Sequence, residues 1–209
     1  MSWEKLKGKF IVLDGPDGSG KSTQIELLGR FVREKGVNTL ALRDPGGTVI
    51  GEEIRQILLN PTHEKMSVRC EALLYMASRA QLFSQCIEPT LEKGWCVLCD
   101  RWISSTYAYQ AVAGGDGKEF ILELAEAALQ RTWPDRTIII DVPTEISRGR
   151  LGDSLDRMEA KSESFHQKVR DAFLELAKVR SDFGVIDGRG SIEQIHQQVI
   201  EALVDYVNS

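Results

Sequence analysis

The sequence predicts an α/β fold, a central parallel five-stranded sheet flanked by helices. Two observations carry that expectation. Short apolar runs bounded by turn residues recur along the 209 residues, and the segments between them show helical periodicity. Short apolar strands separated by helices imply parallel strands joined by right-handed crossovers, with helices around the sheet.

Lys9–Asp14 is the first apolar run and leads at once into a glycine-rich turn. Ser22–Lys35 is helical through Ile25, Leu27, Leu28, Phe31 and Val32, and stops before Gly36. Thr39–Leu42 is the second strand, closed by Pro45-Gly46-Gly47, and Val49–Leu59 is a helix ended by Asn60-Pro61. Val68–Glu92 reads as a longer helix bent or broken near Pro89. Trp95–Cys99 is the third strand, Ser104–Val112 is helical, Gly114–Gly117 is a loop, and Glu119–Leu129 is an amphipathic helix. Thr137–Val142 is the fourth strand, followed by a polar segment with arginine and glycine through Met158. Phe165–Val179 is helical, Gly184–Ile186 is a short fifth strand, and Ile192–Val207 is the last helix. With no repeat, low-complexity tract or linker, residues 1–209 are expected to form one domain.

Composition narrows the function. The chain is 42% hydrophobic and 27% charged, too apolar for a disordered polymer. No apolar run approaches the roughly 18–20 residues that span a bilayer. The polar, basic Met1–Lys9 shows no signal peptide, so a soluble cytoplasmic protein is expected. Lys and Arg total 26 against 31 Asp and Glu, a net charge of −5. That balance argues against wrapping a nucleic-acid backbone and leaves room for a small anion held by a few arginines. Cys96 and Cys99 have C-x-x-C spacing, but no second pair exists and a strand sends them to opposite faces. His63, His166 and His196 have no ligand spacing, so no protein-bound zinc is expected.

Gly15-Pro16-Asp17-Gly18-Ser19-Gly20-Lys21-Ser22 fits G-x-x-x-x-G-K-[ST] between the first strand and the first helix. Glycines let backbone N–H groups turn toward one anion, and the helix start adds unpaired N–H groups and a positive dipole end. Lys21 is expected to face solvent within that cradle and reach the outer phosphates, while the Ser22 hydroxyl suits Mg²⁺. The nucleotide site is therefore expected at Gly15, Pro16, Asp17, Gly18, Ser19, Gly20, Lys21, Ser22 and Thr23. No Asn-Lys-x-Asp guanine loop begins at Asn38, Asn60 or Asn208. A small phosphotransferase or a non-catalytic nucleotide binder remains. Arg43 and Arg101 follow the second and third strands, at the edge where an open parallel sheet holds its ligand. Their planar forks suit a second phosphate.

The order and spacing of several further blocks resemble the thymidylate kinases over nearly the whole chain. They are Asp14-Gly15, Arg43–Thr48, Glu71–Gln81, Asp100-Arg101, Ser105-Thr106, Ala108-Tyr109-Gln110, Pro134-Asp135 and Asp156-Arg157-Met158-Glu159. The resemblance implies a P-loop nucleoside-monophosphate-kinase-like fold and Mg²⁺-dependent transfer of the γ-phosphoryl of ATP to dTMP, giving dTDP. It implies that Tyr75 stacks on thymine, that Arg79 meets the carbonyl edge of the base, and that Ser105, Thr106 and Gln110 line that pocket. Arg43 and Arg101 correspond to the acceptor-phosphate clamp. Asp17 corresponds to a carboxylate near the acceptor sugar and the metal, which Ser22 and Glu159 also serve, partly through water. A homodimer joined through helices is implied as well.

Asp44 stands where most members carry Glu, Trp102 replaces the usual Tyr or His, and Gly18 replaces the arginine of eukaryotic-type enzymes. The last feature makes the chain resemble the bacterial type, in which a lid supplies the missing cation. Residues 147–158 correspond to that lid, and Arg148 and Arg150 are its candidates. Asp156 and Glu159 are expected on one face of the next helix, orienting the lid arginines or the water shell of the metal. The catalytic set is thus Lys21, Asp17, Arg101, Arg148 and Arg150. Another nucleotide or nucleoside kinase on this scaffold is the alternative reading.

Overall fold

Every residue of β1 (Phe10–Asp14) is buried, which requires cover on both faces of the sheet. The computed structural model, which describes residues 2–152 and 154–208, supplies that cover. β3 (Cys96–Asp100) and β4 (Arg136–Asp141) are also buried except at their ends, whereas burial is interrupted within β2 (Thr39–Arg43) and β5 (Phe183–Asp187). The pairing explains the difference. Five parallel strands run in the order β2-β3-β1-β4-β5, so the continuous runs are the inner strands and the interrupted ones are the edges.

Alternate residues of each strand feed separate cores. Ile11 and Leu13, with Leu98, Ile138 and Ile140, pack beneath α1 (Lys21–Glu34) and α9 (Ile192–Asn208). Phe10 and Val12, with Val97 and Cys99, pack beneath α3 (Val68–Leu82) and α6 (Lys118–Ala128). Cys96 and Cys99 accordingly fall into opposite cores. α2 (Val49–Leu59) lies against α3, and α8 (Glu163–Val179) covers Ile139 through Val169 and Phe173. Side-chain caps fix several starts: Thr48, Ser67 and Ser162 accept from the backbone N–H of Gly51, Cys70 and Phe165.

Two local expectations need correction, and two of the expected helices take a particular form. Trp3–Leu6 forms a 3-10 turn that buries Leu6, so the N-terminal residues are not merely a polar lead-in. The long helix is interrupted near Pro89, as expected: a π-helical turn spans Phe83–Ile87, and α4 (Glu88–Glu92) follows with the proline in its first turn, where no N–H is needed. The helix after β3 begins as α5 (Ile103–Thr106) and widens into a second π-helical stretch, Tyr107–Ala113. Within the lid, α7 (Thr144–Gly149) is a short helix, and the element around Asp156–Glu159 is a turn. The expected lid range also includes Asp153, which lies outside the described residues.

Candidate active site

Strand register sets the site. Arg43 pairs with Asp100, and Asp100 with Leu13, so the carboxyl ends of β2, β3 and β1 finish level with the glycine-rich loop. Gly15, Gly18 and Gly20 all have positive φ, at 139°, 74° and 91°. Gly15 and Gly18 also lack room for a side chain. A Cβ on Gly15 would stand 2.5 Å from the Ile140 carbonyl oxygen, and one on Gly18 would stand 2.2 Å from that of Ser147. An arginine at position 18 is therefore incompatible with the seat that α7 takes on the loop.

Lys21 is buried, contrary to the solvent-facing position expected for it. Its ammonium donates to the Pro16 carbonyl at 2.7 Å, the Gly15 carbonyl at 3.1 Å and the Ser19 hydroxyl at 3.1 Å. The loop folds over its own lysine because those carbonyls need a donor. Burial, with Arg101 nearby, pushes the Lys21 ammonium down to about 8.

Ser22 Oγ donates to Asp100 Oδ2 at 2.6 Å, and Asp100 Oδ1 is buried without a partner. A hydroxyl and a carboxylate with a spare oxygen form a hard-oxygen corner suited to Mg²⁺, the pairing of a P-loop Ser with a strand-end Asp. Asp100 was not among the residues expected at the metal. Its position at the end of an apolar strand was the signal available. Asp17, expected there, is instead engaged on both oxygens, by Arg101 Nη2 and by the Tyr109 hydroxyl at 2.7 Å. Burial alone would raise the Asp17 carboxyl, but the Arg101 and Lys21 charges and the Tyr109 bond hold it below the ordinary range. Glu159 accepts from the Asp156 backbone N–H at 3.0 Å, while Asp156 Oδ1 accepts from the N–H of Glu159 at 2.9 Å. The two carboxylates thus close a reciprocal capping box on a turn, and do not share a helix face as expected. Burial raises the Glu159 carboxyl.

Arg101 takes the left-handed conformation, φ 72°, at a cost of about 1–2 kcal/mol. Its Nη1 donates to the Gly15 carbonyl and to Ser105 Oγ, each at 3.0 Å. Ser105 and Ser104 both donate to Asp14, at 2.7 and 2.6 Å, so the Ser105 hydroxyl is committed within the protein. Arg79 is fully buried. It donates to Asp44 Oδ2 and Thr106 Oγ1 at 2.7 Å each, and to the Trp102 carbonyl at 2.9 Å. Burial lifts the Asp44 carboxyl to about 6 against the opposing charge of Arg79, and Asp44 Oδ1 has no partner. The shorter Asp44 therefore keeps the ion pair and leaves one oxygen bare. Arg43 is paired to Glu52 at 2.8 Å.

Two cavities meet here. A cleft of about 670 Å³ runs from Gly18–Thr23 past Asp100 to Gly190, Ser191, Ile192 and Ile195, with Arg43, Arg150 and Glu159 on its walls. A smaller cavity of about 70 Å³ is lined by Tyr75, Arg79, Ser105, Thr106, Tyr109 and Gln110. Burial raises the Tyr75 hydroxyl. Asp17, Asp44, Arg55, Arg101 and Asp156 belong to both. Arg55 escaped the sequence reading because a single arginine on an amphipathic helix resembles any solvated face residue. The Gly190–Ile195 wall escaped it because it lies far from the loop in sequence. Arg150 enters the large cleft and donates to the Gly188 carbonyl at 3.0 Å. Arg148, exposed like Arg150, lines neither cavity.

A sequence profile of the family described as thymidylate kinase matches residues 13–199. A thymidylate kinase from Thermosipho africanus is 42% identical over 201 residues, 96% of this chain and all of that protein. One from Symbiobacterium thermophilum is 44% identical over 200 residues, 95% of this chain and 93% of the other. The fold is similar to a crystal structure of thymidylate kinase from Ehrlichia chaffeensis, with a TM-score of 0.77 and 31% identity over 94% of this chain and 98% of that one.

Proposed function

The chain belongs to the thymidylate kinase family, and from that premise we propose how it phosphorylates dTMP to dTDP with ATP as donor and Mg²⁺ as cofactor. The observation that carries the proposal is the junction of the two cavities. One is floored by the phosphate loop, the other is capped by an aromatic ring and a buried arginine, and Arg55 and Arg101 stand where they join. Residues 1–209 are read as one kinase domain with the lid inserted after β4.

The donor phosphates lie on the loop, and the rest of the nucleotide runs toward Ile192 and Ile195, the apolar end of the cleft. Ser22 and Asp100 would hold Mg²⁺, which would supply charge neutralisation for the phosphates when bound. Tyr75 stacks on the acceptor base, Arg79 offers its remaining N–H to the base's carbonyl edge, Thr106 holds Arg79, and Ser105 holds Arg101. Asp17, fixed by Arg101 and Tyr109, accepts from the acceptor sugar. Arg43 and Arg101 hold the acceptor phosphate. An acceptor that is already a phosphate monoester needs little deprotonation, so rate enhancement comes from alignment and from cancelling repulsion between two anions. This accounts for a site with no histidine nucleophile or base.

A coupled ADP-release assay over a panel of nucleoside monophosphates tests the assignment. dTMP is expected to dominate, and equal turnover of dAMP or dGMP overturns the pyrimidine reading. Arg79→Lys is expected to raise the dTMP KM about tenfold with kcat within about threefold, because the contact exists before the transition state. Arg79→Ala is a poorer test, since stranding the buried Asp44 carboxylate costs about 3–5 kcal/mol of stability.

The homodimer is proposed on a separate observation. Ile50 and Ile57 on α2 and Leu73 on α3 are 50%, 42% and 49% exposed on two helices packed side by side. We infer that a second copy of the chain covers these exposed apolar side chains. Light scattering is expected to give a dimer for the wild type and a monomer for the Ile57→Glu, Leu73→Glu double variant. A monomeric wild type removes the proposal.

A further inference from the structure

Resting on the kinase reading above, we propose that Glu71, clamped by Arg157, is a positioning residue that decides which end of the Gln110 carboxamide faces the acceptor base. It thereby selects a 4-oxo pyrimidine over a 4-amino one.

Three elements bring the groups together: Glu71 from α3, Gln110 from the π-helical stretch after α5, and Arg157 from the turn before α8. All three residues are buried. Glu71 Oε2 accepts from Arg157 Nη1 at 2.6 Å, and Glu71 Oε1 accepts from Gln110 Nε2 at 2.6 Å. Arg157 is anchored in turn by donating from Nε to the Leu58 carbonyl at 2.7 Å.

The orientation of a carboxamide is settled by its partners. A carboxylate paired with a guanidinium can only accept, so only the NH₂ end of Gln110 can face Glu71. The carbonyl oxygen is left for the small cavity, which Gln110 lines together with Tyr75 and Arg79. That cavity therefore presents a fixed acceptor from Gln110 beside donors from Arg79, whose Nη2 has a second hydrogen beyond the one bound by Trp102.

The pair matches one pyrimidine edge. Thymine and uracil offer an acceptor at O4 and a donor at N3–H. Cytosine offers a donor at the 4-amino group and an acceptor at N3. With Arg79 toward position 4 and Gln110 toward position 3, a 4-oxo base is satisfied twice and cytosine is opposed twice. A site built to hydrogen-bond its substrate discriminates strongly, because a mismatch leaves buried polar groups unpaired. Were Glu71 unable to enforce the orientation, Gln110 could turn over and meet cytosine N3 with its NH₂.

The test compares kcat/KM for dTMP, dUMP and dCMP in Glu71→Gln, whose neutral amide can donate or accept. A second variant, Glu71→Gln with Arg157→Met, removes the stranded guanidinium so that folding is preserved. In both, the dTMP:dCMP ratio is expected to fall at least about tenfold, with KM for dTMP rising and KM for dCMP falling. dUMP is expected to follow dTMP. Arg157→Lys, which still holds the Glu71 carboxylate, is expected to keep the ratio within about threefold of wild type. A purely structural role for Glu71 would depress all three substrates together. An unchanged ratio in either folded variant, or a dUMP response unlike that of dTMP, overturns the proposal. Wild-type protein that fails to phosphorylate dTMP overturns the kinase reading itself, and this inference with it.

Discussion

Purified Lys21→Ala is expected to turn over ATP and dTMP about 10³-fold more slowly than the wild type, a loss of about 4 kcal/mol of transition-state stabilisation. Lys21 is the one side-chain cation of the phosphate loop, and its ammonium is already gathered onto the Gly15 and Pro16 carbonyls. Its alkyl stem is buried, so the substitution also leaves two loop carbonyls without their donor, at about 1–2 kcal/mol of stability. A modest fall in Tm should accompany the loss of rate. The two effects separate by measurement: kcat at saturating ATP and dTMP reports the chemistry, and thermal unfolding followed by circular dichroism reports the loop. A folded Lys21→Ala enzyme with kcat within tenfold of wild type would show that the donor phosphates lie elsewhere.

Arg150→Ala is expected to lower kcat by roughly 10²–10⁴ with small changes in KM, somewhat below the range for an arginine finger supplied by a partner. Arg148→Ala should stay within about threefold of wild type. The asymmetry comes from position: both arginines are exposed, but only Arg150 lines the large cleft. The expectation that the cation comes from the lid has a steric basis. Gly18 cannot carry a long side chain while the Ser147 carbonyl occupies the space where its Cβ would be. Steady-state kinetics on both single variants and the double variant decide the matter. If Arg150→Ala and the double variant both keep kcat within threefold, under 1 kcal/mol, the lid only covers the site.

The sheet was legible because the inner strands are apolar on both faces and the intervening helices carry clear periodicity. The phosphate loop was legible because its chemistry is local, with glycines, lysine and serine contiguous in the chain. The rest of the site depends on which side chains meet across distance. Asp100 reaches Ser22 over 78 positions, and Glu71 reaches Arg157 over 86, so neither partnership leaves a mark in local spacing. The π-helical stretches were hidden for another reason. One residue inserted into a helical run leaves the apolar spacing on either side helical, yet it shifts the phase at which Tyr109 and Gln110 project. Asp156 and Glu159 misled because i, i+3 spacing describes a helix face and a capping box equally well. Arg79 was expected to be a ligand group, and its bonds to Asp44, Thr106 and the Trp102 carbonyl make it equally a tie between α3, the loop after β2 and α5.

The contact between Gly18 and Ser147 also has a mechanical consequence. Backbone rests on backbone there, with no side chain between to yield. Ser147 is then a fulcrum, and only the residues beyond it can act as the lever. Arg150 lies three residues past that point, so the arm is short: fully extended it sweeps no more than about 10 Å. A single residue inserted between Ser147 and Arg150 would lengthen the arm by about 3 Å and turn its tip by roughly 100° if helical, carrying the guanidinium off the cleft. Lid length just beyond the fulcrum is therefore held to a tolerance of less than one residue, although the segment itself looks like a permissive surface loop.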